Sequence, residues 1–281
     1  MMNLTIERNI KLESHSREFL CDAFYPATEG RWPLVIFAHG YKGYKDWGAW
    51  HLMAKSLAEA GYYVVTFNFS HNGTSIEEPC VFADLEAFGN NTFMIELDDL
   101  DKVITYFSSK EEVEASQLAL IGHSRGGGIV TLKASEDERI TGLITLAGVS
   151  DFASRFPKGE ALKRYLESGV MFTENKRTGQ MLPHYRVYYE SFLENKDRLN
   201  IRRAVESIKR PFLIIAAEND EAVLPQEAKN MKKWNPNAQL KMIPNTGHTF
   251  DAKEPWESEK LPAALGQVVE EMKLFLKSNL K

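Results

Sequence analysis

A serine set for nucleophilic chemistry stands near the middle of the chain. Gly122-His123-Ser124-Arg125-Gly126 follows an apolar run over residues 118–121 and runs on through Gly127 and Gly128 into a second apolar segment. Strand, sharp turn and helix in that order form the setting in which the serine of a Gly-x-Ser-x-Gly pattern is pushed out. Side chains two positions either side of Ser124 would strike the neighbouring strand and helix, which accounts for Gly122 and Gly126. The turn would also put Ser124 at a helix N-terminus, where free amides and the positive end of the dipole favour negative charge. By itself a five-residue pattern could be a glycine-rich turn that happens to hold a serine.

A serine hydroxyl attacks only when a base takes its proton and a third group orients that base. Of seven histidines, His248 fits best. It sits in Asn245-Thr246-Gly247-His248, directly after the last expected strand, on the sheet edge that carries Ser124. The acid should lie in a loop between the two. Residues 216–225 offer Glu218, Asp220 and Glu221. Asp220 is preferred because it lies in the loop proper, Glu218 is the runner-up, and Asp151, after the preceding strand, comes third. Ordinary solvation or helix capping would equally account for any of these carboxylates. Asp220 would accept from His248 Nδ1–H and stabilise the imidazolium. Turnover should then fall on the acid side, as protonation of His248 removes the base.

Two preorganised N–H donors are needed for an oxyanion. The backbone amide of Arg125 follows the nucleophile, and that of Tyr41 follows His39-Gly40. As donors these are main-chain groups, so neither side chain need react. Among the remaining histidines, His39 is expected to brace the Tyr41 loop, His123 to pack, and His71 to be structural. Lys42, Lys45, Asp46 and Trp47 could line an entrance. No histidine, cysteine and carboxylate set has metal-ligand spacing, so no metal and no other cofactor is expected. Gly126-Gly127-Gly128 lacks the lysine and hydroxyl of a phosphate-binding loop.

Strands alternating with helices must position these groups. Residues 4–12 and 17–25 read as an antiparallel pair at one edge. Residues 33–38, 62–69, 118–121, 140–149, 211–217 and 238–243 read as strands, several of them continuous apolar runs suited to a parallel sheet covered on both faces. Helical spacing spans 47–60, 92–108, 226–234 and 261–280, with a polar loop over 70–91. Such alternation implies right-handed crossovers. Residues 150–209 break it. They are too long for a plain crossover and contain a β-hairpin over 169–182, turning at 175–179, between helices at 160–167 and 185–193. An insertion after a strand's C-terminal end overhangs the ligand crevice of such sheets, so 150–209 is expected to be a lid, with 1–149 and 210–281 as the core.

Composition is that of a soluble globular protein: 281 residues, 43% hydrophobic, 26% charged, net charge -5. No basic stripe suggests nucleic acid, and no stretch reaches the length of a membrane span. Cys21 and Cys80 are far apart and read as buried thiols of a reducing compartment. With no secretory leader visible at the N-terminus, a cytoplasmic protein is expected.

Taken together, the His39-Gly40 loop, the Gly122-to-Gly127 elbow, Asp220 followed by Val223, and Gly247-His248 resemble those of α/β-hydrolase-fold serine hydrolases, over essentially the whole chain. Ser, acid and His occur in the order of that fold. The His-Gly-Tyr loop and the hairpin-bearing insertion are similar to the cinnamoyl and feruloyl esterase branch and to the dienelactone-hydrolase and prolyl-oligopeptidase-like groups. The resemblance implies an esterase acting on a small molecule. The serine at the elbow argues against haloalkane dehalogenases, which have aspartate there. A serine aminopeptidase using the same machinery is the alternative, to be told apart by a charged pocket for a free amine or carboxylate. A non-catalytic binding module is a further one, which a missing triad member would favour. Aromatic residues of the insertion, Phe152, Phe156, Tyr165, Phe172, Tyr185, Tyr188 and Tyr189, suggest an apolar pocket, while core packing of the insertion accounts for most of them equally well. Oligomeric state is left open.

Overall fold

A computed structural model describes residues 3–280. Ten strands and nine α-helices are laid out among these residues. The strands are β1 (Leu4–Ser14), β2 (Arg17–Pro26), β3 (Trp32–Ala38), β4 (Tyr63–Phe67), β5 (Val113–His123), β6 (Gly142–Leu146), β7 (Val170–Asn175), β8 (Gln180–Tyr185), β9 (Phe212–Ala217) and β10 (Gln239–Ile243). The helices are α1 (Trp50–Glu59), α2 (Leu85–Asn90), α3 (Phe93–Ser108), α4 (Arg125–Glu136), α5 (Gly159–Ser168), α6 (Arg186–Glu194), α7 (Ile201–Ser207), α8 (Pro225–Trp234) and α9 (Ala263–Asn279).

Eight strands form one sheet in the order β1-β2-β4-β3-β5-β6-β9-β10. The pairs β1–β2 and β2–β4 are antiparallel, and all the others are parallel. The reason is visible in β3. Leu34, Ile36 and Ala38 face the core on one side, while Val35 and Phe37 face the other. Both faces are apolar, so both must be covered. Helices α3, α4, α7 and α8 cover the first; α1 and α9 cover the second, through Trp50, Met53, Leu265 and Val268. The antiparallel edge expected at residues 4–25 is present, and the parallel centre follows the apolar runs.

Several boundaries differ. The elbow strand begins at Val113, five residues before the apolar run, because its first half pairs with Trp32 and Pro33 at a register shift. The loop expected over 70–91 contains α2, capped by Asp84, which accepts from Ala87 N at 2.9 Å. Between β6 and β9 stands the two-stranded sheet β7–β8, with Val170 opposite Tyr185 and Asn175 opposite Gln180. Its arms are longer than expected, and α7 follows it, unforeseen. This segment packs on α3: the Phe152 ring stacks on Phe93 at 3.8 Å between centroids, and Tyr188 lies 5.1 Å from Phe93. Cys21 is buried, Cys80 is only half-buried, and neither is paired. No described helix is long and apolar enough to cross a membrane.

Candidate active site

Ser124 occupies the turn between β5 and α4 with φ 55° and ψ −118°, a backbone shape that L-residues adopt only under constraint. The constraint can be read from its surroundings. Ser124 N–H donates to Leu146 O at 2.9 Å, and Ser124 O accepts from Gly127 N at 3.0 Å and Val149 N at 3.1 Å. The two glycines make room. A Cβ on Gly122 would lie 2.3 Å from Gly126 O, and one on Gly126 would lie 2.4 Å from both Ala38 O and His39 O. These are backbone atoms and cannot swing away. Gly126→Ala is therefore expected to push α4 off β3, with a stability loss of at least about 3 kcal/mol. A urea unfolding midpoint reads this; one within error of the parent's would refute the steric account.

The other two residues arrive from loops after β9 and β10. His248 Nε2 lies 2.9 Å from Ser124 Oγ, and His248 Nδ1 lies 2.8 Å from Asp220 Oδ2. Asp220 is buried. Its second oxygen accepts from Ala222 N at 2.8 Å and Val223 N at 2.9 Å, which fixes the carboxylate plane. Burial works against ionisation here, but the His248 contact and the two amides outweigh it and hold the carboxyl below its usual range. Glu218 is exposed, and Asp151 instead caps the turn at Ala153 and Ser154, at 2.9 and 3.1 Å. Of the three candidate carboxylates, the structure brings only Asp220 to His248.

The amides of Tyr41 and Arg125 make no hydrogen bond among the described residues, as befits a loop amide and the first amide of a helix. His39 is buried, with Nδ1 2.9 Å from Gly40 O and Nε2 3.3 Å from Phe69 N, so it ties the Tyr41 loop to the end of β4. His123 does more than pack: its Nε2 lies 2.9 Å from His248 O. His71 lies against Ser70 Oγ at 2.8 Å, away from the site.

Ser124 and His248 sit on the wall of a cavity of about 410 Å³. Phe93, Val149, Phe152, Met171 and Val223 give it apolar surface; Tyr41, Lys42, Arg125, Arg155, Thr173 and His184 give it polar groups. Of the four residues expected at an entrance, only Lys42 lines it. Lys45 is buried elsewhere, bonded to Asp22 at 2.7 Å and paired with Asp46. Of the seven insertion aromatics singled out in the sequence, only Phe152 and Tyr188 reach the cavity, whereas Phe172 is exposed.

Sequence reasoning missed the Arg125 side chain. It is buried against Glu96, with Nε 3.1 Å from Oε2 and Nη2 3.1 Å from Oε1. The second contact is close enough for an ion pair but not aligned as a hydrogen bond, so Nη2 keeps an unpartnered proton. The guanidinium lies 4.5 Å from the Phe93 ring centre and 5.1 Å from that of Tyr188. Burial pushes the Glu96 carboxyl up, and Arg125 opposes this. The signal lay in α3: Glu96 shares an apolar helix face with Phe93, Leu97 and Leu100, and a carboxylate there needs a cation. His184, also missed, brings β8 to the site, with Nε2 2.7 Å from Tyr41 Oη. Burial, with Arg125 and Lys42 nearby, lowers this imidazole to about 3, so it is neutral. Among the described residues no group of histidine, cysteine and carboxylates could hold a metal ion.

Comparison with known proteins adds the following. A family model described as alpha/beta hydrolase fold matches residues 33–168 and 149–250. Monoacylglycerol lipase ABHD6 of Bos taurus is 22% identical over 296 residues, covering 92% of this chain and 82% of that protein. The quorum-quenching protein AidA of Acinetobacter baumannii is 24% identical over 152 residues, and the match spans only 47% of its length. Among solved structures, Est1E from Butyrivibrio proteoclasticus superposes with a TM-score of 0.73 at 20% identity, over 97% of this chain and 99% of that one. A Klebsiella pneumoniae protein named as a candidate dienelactone hydrolase gives 0.63 at 13% identity, over 98% of this chain and 99% of that one.

Proposed function

The chain belongs to the α/β-hydrolase family, and from that premise we propose that it is a serine hydrolase that cleaves carboxylic esters through an acyl-enzyme. The observation that carries this is the unbroken relay Asp220–His248–Ser124, at 2.8 and 2.9 Å, ending on the wall of the cavity. Ser124 Oγ attacks the ester carbonyl and His248 Nε2 takes its proton. Asp220 stays ionised and holds the imidazolium. The amides of Tyr41 and Arg125 receive the oxyanion, each worth about 3 kcal/mol of transition-state stabilisation. His248 then protonates the departing alcohol, and water, deprotonated by the same nitrogen, releases the acid. Residues 150–209 serve as a cap in this reading, since Phe152, Arg155, Met171, Thr173, His184 and Tyr188 all come from them.

An aminopeptidase is disfavoured because its substrate's ammonium needs a carboxylate, and no Asp or Glu lines the cavity among the described residues. The ferulic acid bound to Est1E and the lipase name of ABHD6 favour an ester. The test is a fluorophosphonate probe together with p-nitrophenyl acetate. The parent protein should be labelled and active, and Ser124→Ala should be neither. An unlabelled parent, or unchanged turnover in Ser124→Ala, overturns the proposal.

A further inference from the structure

The cavity's charges are one-sided. Among the described residues three cationic side chains, Lys42, Arg125 and Arg155, line it and no carboxylate does, although acidic residues outnumber basic ones 39 to 34 in the chain. Both arginines have their carboxylates behind them. Glu96 holds Arg125, and Glu227, itself fixed by Ser150 N at 2.8 Å, pairs with Arg155. Each guanidinium is thus held by a carboxylate that does not itself line the cavity, Arg125 Nη2 lying 3.1 Å from Glu96 Oε1. Lys42 differs. Its Nζ donates to Glu174 O at 3.1 Å, and it has no ion pair among the described residues. Its backbone is left-handed, with φ 57°. Between Tyr41 and Gly43 a glycine would adopt that shape freely, so the strained lysine points to a use for its side chain.

We propose that the ester this cavity takes carries a carboxylate of its own, bound by Lys42 with Arg155 and Arg125 completing a cationic wall. This rests on Ser124 being the nucleophile. One ammonium without an ion pair among the described residues matches one negative charge, and Phe93, Phe152 and Met171 offer apolar surface to the chain that separates that charge from the ester. Burial, with Lys176 adding repulsion and Glu174 opposing in part, holds the Lys42 ammonium below the ordinary lysine value; the attraction of an incoming anion offsets this.

Matched pairs of esters test this. Monomethyl adipate against methyl hexanoate places the charge on the acyl side, and 6-acetoxyhexanoate against hexyl acetate places it on the alcohol side. Charge-assisted hydrogen bonds predict that one anionic member exceeds its neutral partner roughly tenfold to a hundredfold in kcat/KM, mainly through KM. That ratio should collapse towards one in Lys42→Met, whose thermal melt reports whether it is folded, and shrink for the parent in 1 M NaCl. Neutral esters cleaved as well as both anionic ones, by protein that is labelled at Ser124, would overturn the inference and leave the esterase reading standing. If no ester is cleaved and Ser124 is not labelled, the esterase reading falls instead. Calorimetric binding to Ser124→Ala then judges the anion site: tighter binding of monomethyl adipate than of methyl hexanoate supports it, and equal binding refutes it.

Discussion

Asp220→Asn should lower kcat for ester hydrolysis by about 10⁴-fold while leaving the fold in place, on the precedent of the corresponding change in a serine protease triad. The loss follows from where each oxygen points. Asp220 Oδ1 accepts from Ala222 and Val223 amides, a role an asparagine carbonyl oxygen can keep. The amide nitrogen then replaces Oδ2, 2.8 Å from His248 Nδ1. It donates a proton where the carboxylate accepted one. His248 is driven to the tautomer with its proton on Nε2, the atom 2.9 Å from Ser124 Oγ, and can no longer take a proton from serine. Steady-state turnover with a thermal melt on the same sample checks both halves. A loss under tenfold, or a collapsed melt, contradicts this assignment of the two oxygens.

The second large effect is on stability. His39 and His71 are lowered to about 4, and His123 and His184 to about 3, chiefly by burial. An unfolded histidine titrates near 6.5. Below that pH the unfolded chain binds protons that the folded protein refuses, so stability is complete above the unfolded value and drains away as the pH falls. Asp99, raised to about 6 by burial, and Glu96, also raised, work the other way, because folded they bind protons earlier than unfolded. The balance near pH 5 is about two to three protons, or roughly 3–4 kcal/mol for each pH unit. Melting temperature should therefore drop by roughly 10 °C between pH 6.5 and 5. His71→Asn, outside the cavity, should remove about one proton from that slope. A melting temperature flat across this interval would show that these imidazoles are not titrating as described.

The fold was legible because buried parallel strands are written as unbroken apolar runs; β3 and β9 could hardly be anything else. Chain order singled out Ser124, Asp220 and His248 as candidates, since groups on loops after successive strands share one edge of the sheet. Short elements were not legible. Six residues of α2 include Gly89 and show no period, and they are helical because Asp84 caps them and Phe88 packs against Tyr44 and Leu182. What side chains do beyond their own loop was hidden too. Arg125 was read only for its amide, because the partner that buries it lies 29 residues earlier. His184 was passed over because its importance comes from a contact with Tyr41 across 143 residues.

The bond from His123 to the carbonyl of His248 has one more consequence. The strand that leads into the serine also holds, through its last residue, the loop that carries the histidine, so a shift of that strand end would bear on both. Serine and histidine are thereby tied to one strand end, although 124 positions separate them in the chain.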